Sequence, residues 1–294
     1  MIEKRRVPKN LAHYAPYLGV VPFVIFAIVC MVYPTGLMLR ESFRDAQGGW
    51  TVQNYIDLQN PLIVEAYLMS IRISLTTAVI GGAFGLVVAI AIVQGGMPRW
   101  IQGVIRTFSG VAANYAGVPL AFAFVATIGR LGFVTVLLKS IGINIYASGF
   151  TLYSYMGLVV VYVYFQFPLM ILVMTPALEA LRREWREASL ILGATAGQYW
   201  WFIARPILQP TVLAALLLLF GNAFGAFATA YALTGGTITM VTNVIAQQIS
   251  GDVLHNEGLA YAMAMGMIVI MSITIAGYAL LQRHTQRWLQ KDAA

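Results

Sequence analysis

Charge is what this sequence has least of. Asp, Glu, Lys and Arg make up 10% of its 294 residues, where a soluble domain carries about a quarter, so the chain cannot clothe an ordinary water-facing surface. Acids are the scarcer sign, 11 against 18 Lys and Arg, and each falls in a terminus, in a loop or at the edge of an apolar run. No carboxylate at depth is left to act as proton relay or sodium ligand, which counts against an ion-coupled carrier. The single cysteine, Cys30, lies inside the first long apolar run; no internal disulfide can form, and the redox compartment stays unread. His13, His255 and His284 lie far apart without metal-ligand spacing. None of the four lysines, Lys4, Lys9, Lys139 and Lys291, follows a glycine, which removes the G-K pair that cradles nucleotide phosphates. No serine has a glycine two positions before it, so the nucleophile elbow of hydrolases is missing as well. No catalytic residue, metal site or cofactor is expected in this chain, and an intramembrane enzyme is disfavoured.

What is abundant is apolar: 60% hydrophobic residues and a mean hydropathy of +0.77 make this an integral membrane protein, all-α, with about six transmembrane helices. The spans are expected at Tyr17 to Leu39, Tyr67 to Gln94, Ile101 to Ile128, Leu152 to Leu178, Ile207 to Leu233 and Leu259 to Leu281. The first is too long for a signal-peptide core and is expected to be retained. Phe133 to Leu138 is too short to span and reads as an external amphipathic or re-entrant piece. The net charge of +7 does not point to nucleic acid, because 13 of the 18 Lys and Arg cluster at span ends on one inferred side. By the positive-inside rule both termini are then cytoplasmic. The division is a cytoplasmic segment 1–16, one transmembrane domain 17–282 with a polar loop at 179–206, and a cytoplasmic tail 283–294.

That polar loop organises the chain. Glu179 to Pro210 reads EALRREWREASLILGATAGQYWWFIARPILQP and places Arg182, Arg183, Glu184, Arg186 and Glu187 on a short helix that cannot lie in lipid. Gly193 then turns the chain, a second short helix carries Tyr199 to Phe202, and Pro206 and Pro210 open the next span. Glu187-Ala188-Ser189, three residues, Gly193-Ala194-Thr195 and the following Pro206 resemble the EAA loop of binding-protein-dependent ABC importer permeases. Ser189 stands here for the second alanine of that pattern, Ile191 for an aspartate and Arg205 for a leucine. The resemblance extends more loosely over the whole chain as a six-span permease of the inner membrane.

The resemblance implies coupling helices that dock into a cytoplasmic ATPase subunit, with Arg183, Arg186, Glu187, Ala188, Ser189, Gly193, Ala194, Thr195 and Pro206 as the coupling residues. It implies as partners two ABC ATPase subunits that bind the ATP, a second permease subunit and an external solute-binding protein. It further implies a solute pathway between two permeases, lined by polar side chains near mid-membrane. The candidates are Asn114, Tyr115, Gln166, Asn222, Tyr231 and Thr234, with Asn243, Gln247 and Gln248 nearer the external mouth; each can instead hydrogen-bond a neighbouring helix. The stretch from Phe220 to Gly236 is similar to polyamine, ferric-ion and aminophosphonate permeases, which leans the solute toward a small polar, polyamine-like molecule.

Overall fold

The computed structural model describes residues 20–45, 47–147, 149–250 and 256–291, with the side chains of 282–291 left aside. The expected segment 1–16, His13, His255 and His284, and the side chains of the tail fall outside that description. Among the described residues the regular structure is helical apart from one antiparallel bridge, Arg44 with Trp50. Six helical stretches are long and apolar enough to cross a membrane.

The chain divides into two units. One takes residues 1–59 and 247–266. Its helix α1, Val20–Glu41, has a wide turn at Ile28–Val32 and no buried residue. Helix α2, Gln53–Asp57, follows a loop closed by Asn54, whose Nδ2 donates to the carbonyls of Ser42 and Arg44 at 3.0 and 2.8 Å. Unpaired carbonyls buried in a loop cost stability, and one amide satisfies two.

The other unit takes residues 60–246 and 267–294. Helix α3, Pro61–Gln94, starts on the Asn60 side chain, which accepts from the Leu62 N–H, with Pro61 in the first turn. Its Gly81 and Gly85 meet α7, Tyr155–Glu179, so closely that a Cβ on Gly81 would lie 2.6 Å from the Gln166 Cβ. Small residues bring backbones together where lipid gives no hydrophobic drive between helices. Around this seam lie two apolar clusters. Ile73, Leu120, Tyr162, Phe165 and Leu233 belong to one, and Ala78, Met170, Met174, Leu208 and Leu219 to the other.

The third expected span is not one helix. Helix α4, Arg99–Asn114, stops, and α5, Val118–Ile128, restarts after Gly117 at φ 78° with Pro119 in its first turn. The left-handed glycine and a proline that has no N–H to give make the break. Asn114 and Tyr115 therefore sit at a helix junction, not inside a span. Nor is Phe133 to Leu138 a separate external piece: α6, Phe133–Ser140, continues α5 past a kink at Gly129 to Gly132, and the apolar stretch runs Val118–Ser140.

The fifth expected span differs at both ends. The second loop helix does not stop before Pro206; α9 runs unbroken over Ala196–Phe224. At Trp200–Ala204 its turn widens, and the Arg205 N–H reaches back five residues to the Trp200 carbonyl. That wider pairing lets Pro206, with no N–H to donate, stay in a continuous helix. The span then breaks at Gly225 and Ala226 before α10, Phe227–Thr234. The remaining helices are α8, Arg183–Ile191, in the polar loop; α11, Val241–Ser250; and α12, Glu257–Lys291.

Candidate functional site

The polar loop is built from two helix caps placed back to back. Helix α8 carries Glu184 in its first turn, where the helix dipole favours an acid, and Arg183 meets Glu187 at 3.3 Å one turn on. Both side chains are largely exposed, so the pair is worth about 0.3–0.5 kcal/mol. The helix ends on Gly193 at φ 80°. The Gly193 N–H donates to the Leu190 carbonyl at 3.0 Å and the Ala194 N–H to the Ser189 carbonyl at 2.9 Å, the bond pair that closes a helix over a left-handed residue. Thr195 then caps α9. Its Oγ1 accepts from the Gln198 N–H and its own N–H donates to Gln198 Oε1 at 2.7 Å. The Gly-Ala-Thr triplet thus closes one helix and opens the next.

This turn presents apolar surface where the loop should be polar. Ile191 and Leu192 are 86% and 87% exposed, Leu190 and Phe202 also stand out, and a cleft of about 310 Å³ lies between Leu192, Gly193, Gln198, Tyr199 and Phe202. Such a patch is apolar surface that the single chain leaves uncovered. Of the residues expected to couple, Ser189 is buried, its hydroxyl donating to the Arg186 carbonyl at 2.7 Å, while Arg183, Arg186, Glu187, Ala188, Gly193 and Thr195 are exposed. Ala194 is half-buried, and Pro206 lies in the first turns of the continuing helix.

The two helix breaks are stitched together by hydroxyls. The Gly117 N–H donates to Thr229 Oγ1 at 2.7 Å, and the Tyr162 hydroxyl donates to the Ala226 carbonyl at 2.5 Å. Backbone groups freed inside a membrane must be satisfied by neighbours, and these two side chains do that for both breaks. Asn114 and Tyr115 are exposed beside the first break, the Tyr115 ring edge-on to Tyr164 at 6.5 Å. Tyr231, 48% exposed, lies tilted against Phe227 with ring centroids 5.2 Å apart, just beyond the second break. Asn222 opens with Gly221, Thr274 and Tyr278 onto a cleft of about 440 Å³ between α9 and the later part of α12.

The other pathway candidates turn inward. Gln166 is fully buried, its Nε2 donating to the Leu219 carbonyl at 2.8 Å and its Oε1 left without a partner. Thr234 donates to the Ala230 carbonyl, and Asn243 Nδ2 to the Ile238 carbonyl at 3.0 Å, with Asn243 Oδ1 unpartnered. Gln247 is exposed and Gln248 buried, both in the unit that begins its second segment there. Sequence reading missed Thr229 and Tyr162 as partners of the breaks, although Ala-Gly-Val-Pro at 116–119 carries the signal of an interrupted helix. Among the described residues no three His, Cys, Asp or Glu converge to hold a metal.

Comparison with known proteins adds four findings. The model of a family described as "Binding-protein-dependent transport system inner membrane component" matches residues 81–287. The chain is 22% identical over 255 residues to a probable sulfate transport system permease protein of Nephroselmis olivacea, covering 86% of this chain and 82% of that one. It is 26% identical over 275 residues to a spermidine/putrescine transport system permease protein of Haemophilus influenzae, covering 87% and 90%. In three dimensions it is similar to a chain of a bacterial ABC transporter involved in the import of alginate, with a TM-score of 0.70, 15% identity, and coverage of 95% and 98%.

Proposed function

This chain belongs to the binding-protein-dependent inner-membrane transport component family, multi-pass in the membrane, and on that footing we propose that it translocates a small polar solute by alternating access driven by a separate ATPase. One observation carries the proposal: the turn at Gly193, where two capped helices hold Leu190 to Leu192 and a cleft of about 310 Å³ outward on an otherwise polar loop. A rigid, apolar knob is what a partner subunit needs to grip if its closure is to be transmitted to the spans. Two ATPase subunits, a second permease and an external binding protein complete the machine, and ATP is bound outside this chain. Arg183, Arg186, Glu187, Ala188, Ser189, Gly193, Ala194, Thr195 and Pro206 form the coupling set.

Asn114, Tyr115, Asn222 and Tyr231, exposed at and near the helix breaks, contact the solute; Gln166, Thr234 and Asn243 stand behind them, with Gln247 in the external segment. Neutral amides and phenols hold a solute weakly enough to release it. The Tyr115 and Tyr231 faces suit a cation, which makes a polyamine the first solute to try. The test is uptake by proteoliposomes holding the permease with its ATPase and binding protein, given radiolabelled putrescine or sulfate. MgATP-dependent uptake of one of these is the expected result. Uptake that follows a proton or sodium gradient and ignores ATP would overturn the reading.

A further inference from the structure

Helix α4 is tied at its middle, and the chain just past its end is tied as well, by side chains that belong neither to the coupling loop's docking surface nor to the proposed pathway. At its midpoint Arg106 Nη2 donates to Glu179, the last residue of α7 and four residues before α8 opens at Arg183. The Arg106 Nε is buried without a partner, while the rest of the guanidinium stays partly exposed beside Glu179. Three residues past its end, across the break, Gly117 donates to Thr229 Oγ1 in α10, and Thr229 is 2% exposed. From Arg106 to Asn114 the helix is uninterrupted, a stiff run of about 12 Å.

We propose that α4 is a transmission rod, with Arg106 and Thr229 as positioning residues that carry displacement of α8 to the paired helix breaks. The inference rests on the reading that α8 and the Gly193 turn receive the ATPase. Residues 180–182 form a three-residue non-helical link between α7 and α8, short enough that displacement of α8 pulls on the end of α7 at Glu179. The Arg106 ion pair ties the end of α7 to α4 and makes α4 follow. Because Gly117 is bonded to Thr229, the break before α5 cannot shift without moving the break before α10. A half-exposed ion pair adds little stability by itself, so its role shows in coupling and not in folding.

The reporter is Ala116→Cys, exposed in the first break, in a Cys30→Ser background that removes the free thiol. The permease is purified with its ATPase and reconstituted, and labelling by a membrane-impermeant maleimide is timed with and without MgATP. In the background, MgATP changes the labelling rate. Arg106→Glu and Thr229→Val each shrink that change by about five-fold or more, while the ATPase stays bound and keeps hydrolysing. Adding Glu179→Arg to Arg106→Glu restores the response, and Thr229→Ser retains it. Unchanged responses in both single variants would overturn the role of α4 and leave the coupling reading standing. A background with no bound ATPase or no nucleotide response would bring down the coupling reading, and the rod with it.

Discussion

Replacing Gly193 with valine isolates what the loop's turn contributes. An added Cβ would meet nothing within 4 Å, so the substitution introduces no clash with the spans and leaves insertion untouched. Its whole cost is conformational, because Gly193 sits at φ 80°, where an L-residue is disfavoured by about 1–2 kcal/mol and a β-branched one by the upper end of that range. That strain lowers the population of the two-cap turn by roughly 5–30-fold. If the loop relaxes instead, it gives up the bonds from Gly193 and Ala194 that close α8, each worth about 0.5–1.5 kcal/mol. Either way Leu190 to Leu192 lose their fixed presentation. The assay is the ratio of solute uptake to ATP hydrolysis in proteoliposomes, with protein amount checked by gel filtration. The ratio should fall by roughly the same 5–30-fold while the monodisperse peak is unchanged. Gly193→Asn, which tolerates the left-handed region better, should fall less. A valine variant with normal coupling would refute the claim that this turn transmits force.

Three further outcomes follow from the packing. Ile191→Asp leaves the turn intact but puts a charge on the apolar knob, and should weaken ATPase retention about ten-fold or more on a nickel column. Gln166→Leu removes one hydrogen bond to Leu219 but also a buried Oε1 with no partner. The two effects offset, and thermal unfolding in detergent should place it within about 1 kcal/mol of the parent. Gly81→Ala forces a methyl to 2.6 Å from the Gln166 Cβ and should destabilise the α3–α7 seam by about 1–3 kcal/mol, read in the same melt.

Helix class and the number of spans were legible because lipid imposes about twenty apolar residues per crossing and punishes every exception. The loop was legible for the opposite reason: five charges on one short helix exclude it from the bilayer. Span edges and breaks were harder to place. Pro206 signals a helix start in water, but a widened turn at Trp200–Ala204 absorbs it and carries α9 through. Gly117 needed only its Ala-Gly-Val-Pro context to be read as a break, whereas Gly225 and Ala226 look like any small-residue run until the Tyr162 hydroxyl is found on the Ala226 carbonyl. The polar pathway candidates separate only in three dimensions, since periodicity in an apolar helix does not say which face meets a neighbour. Gln166 and Asn222 read alike in sequence, yet one is fully buried against Leu219 and the other opens onto a cleft. The Arg106 to Glu179 pair joins residues 73 apart and leaves no local trace.

The most direct test of the central claim is a mild-detergent pull-down of the tagged chain, with mass spectrometry of what it retains and an ATPase assay on the eluate. Coupling through the loop predicts a nucleotide-hydrolysing subunit that is retained by the parent chain and lost with Gly193→Val or Ile191→Asp. A folded, monodisperse chain that retains no such subunit would contradict the account and favour an ion-coupled carrier.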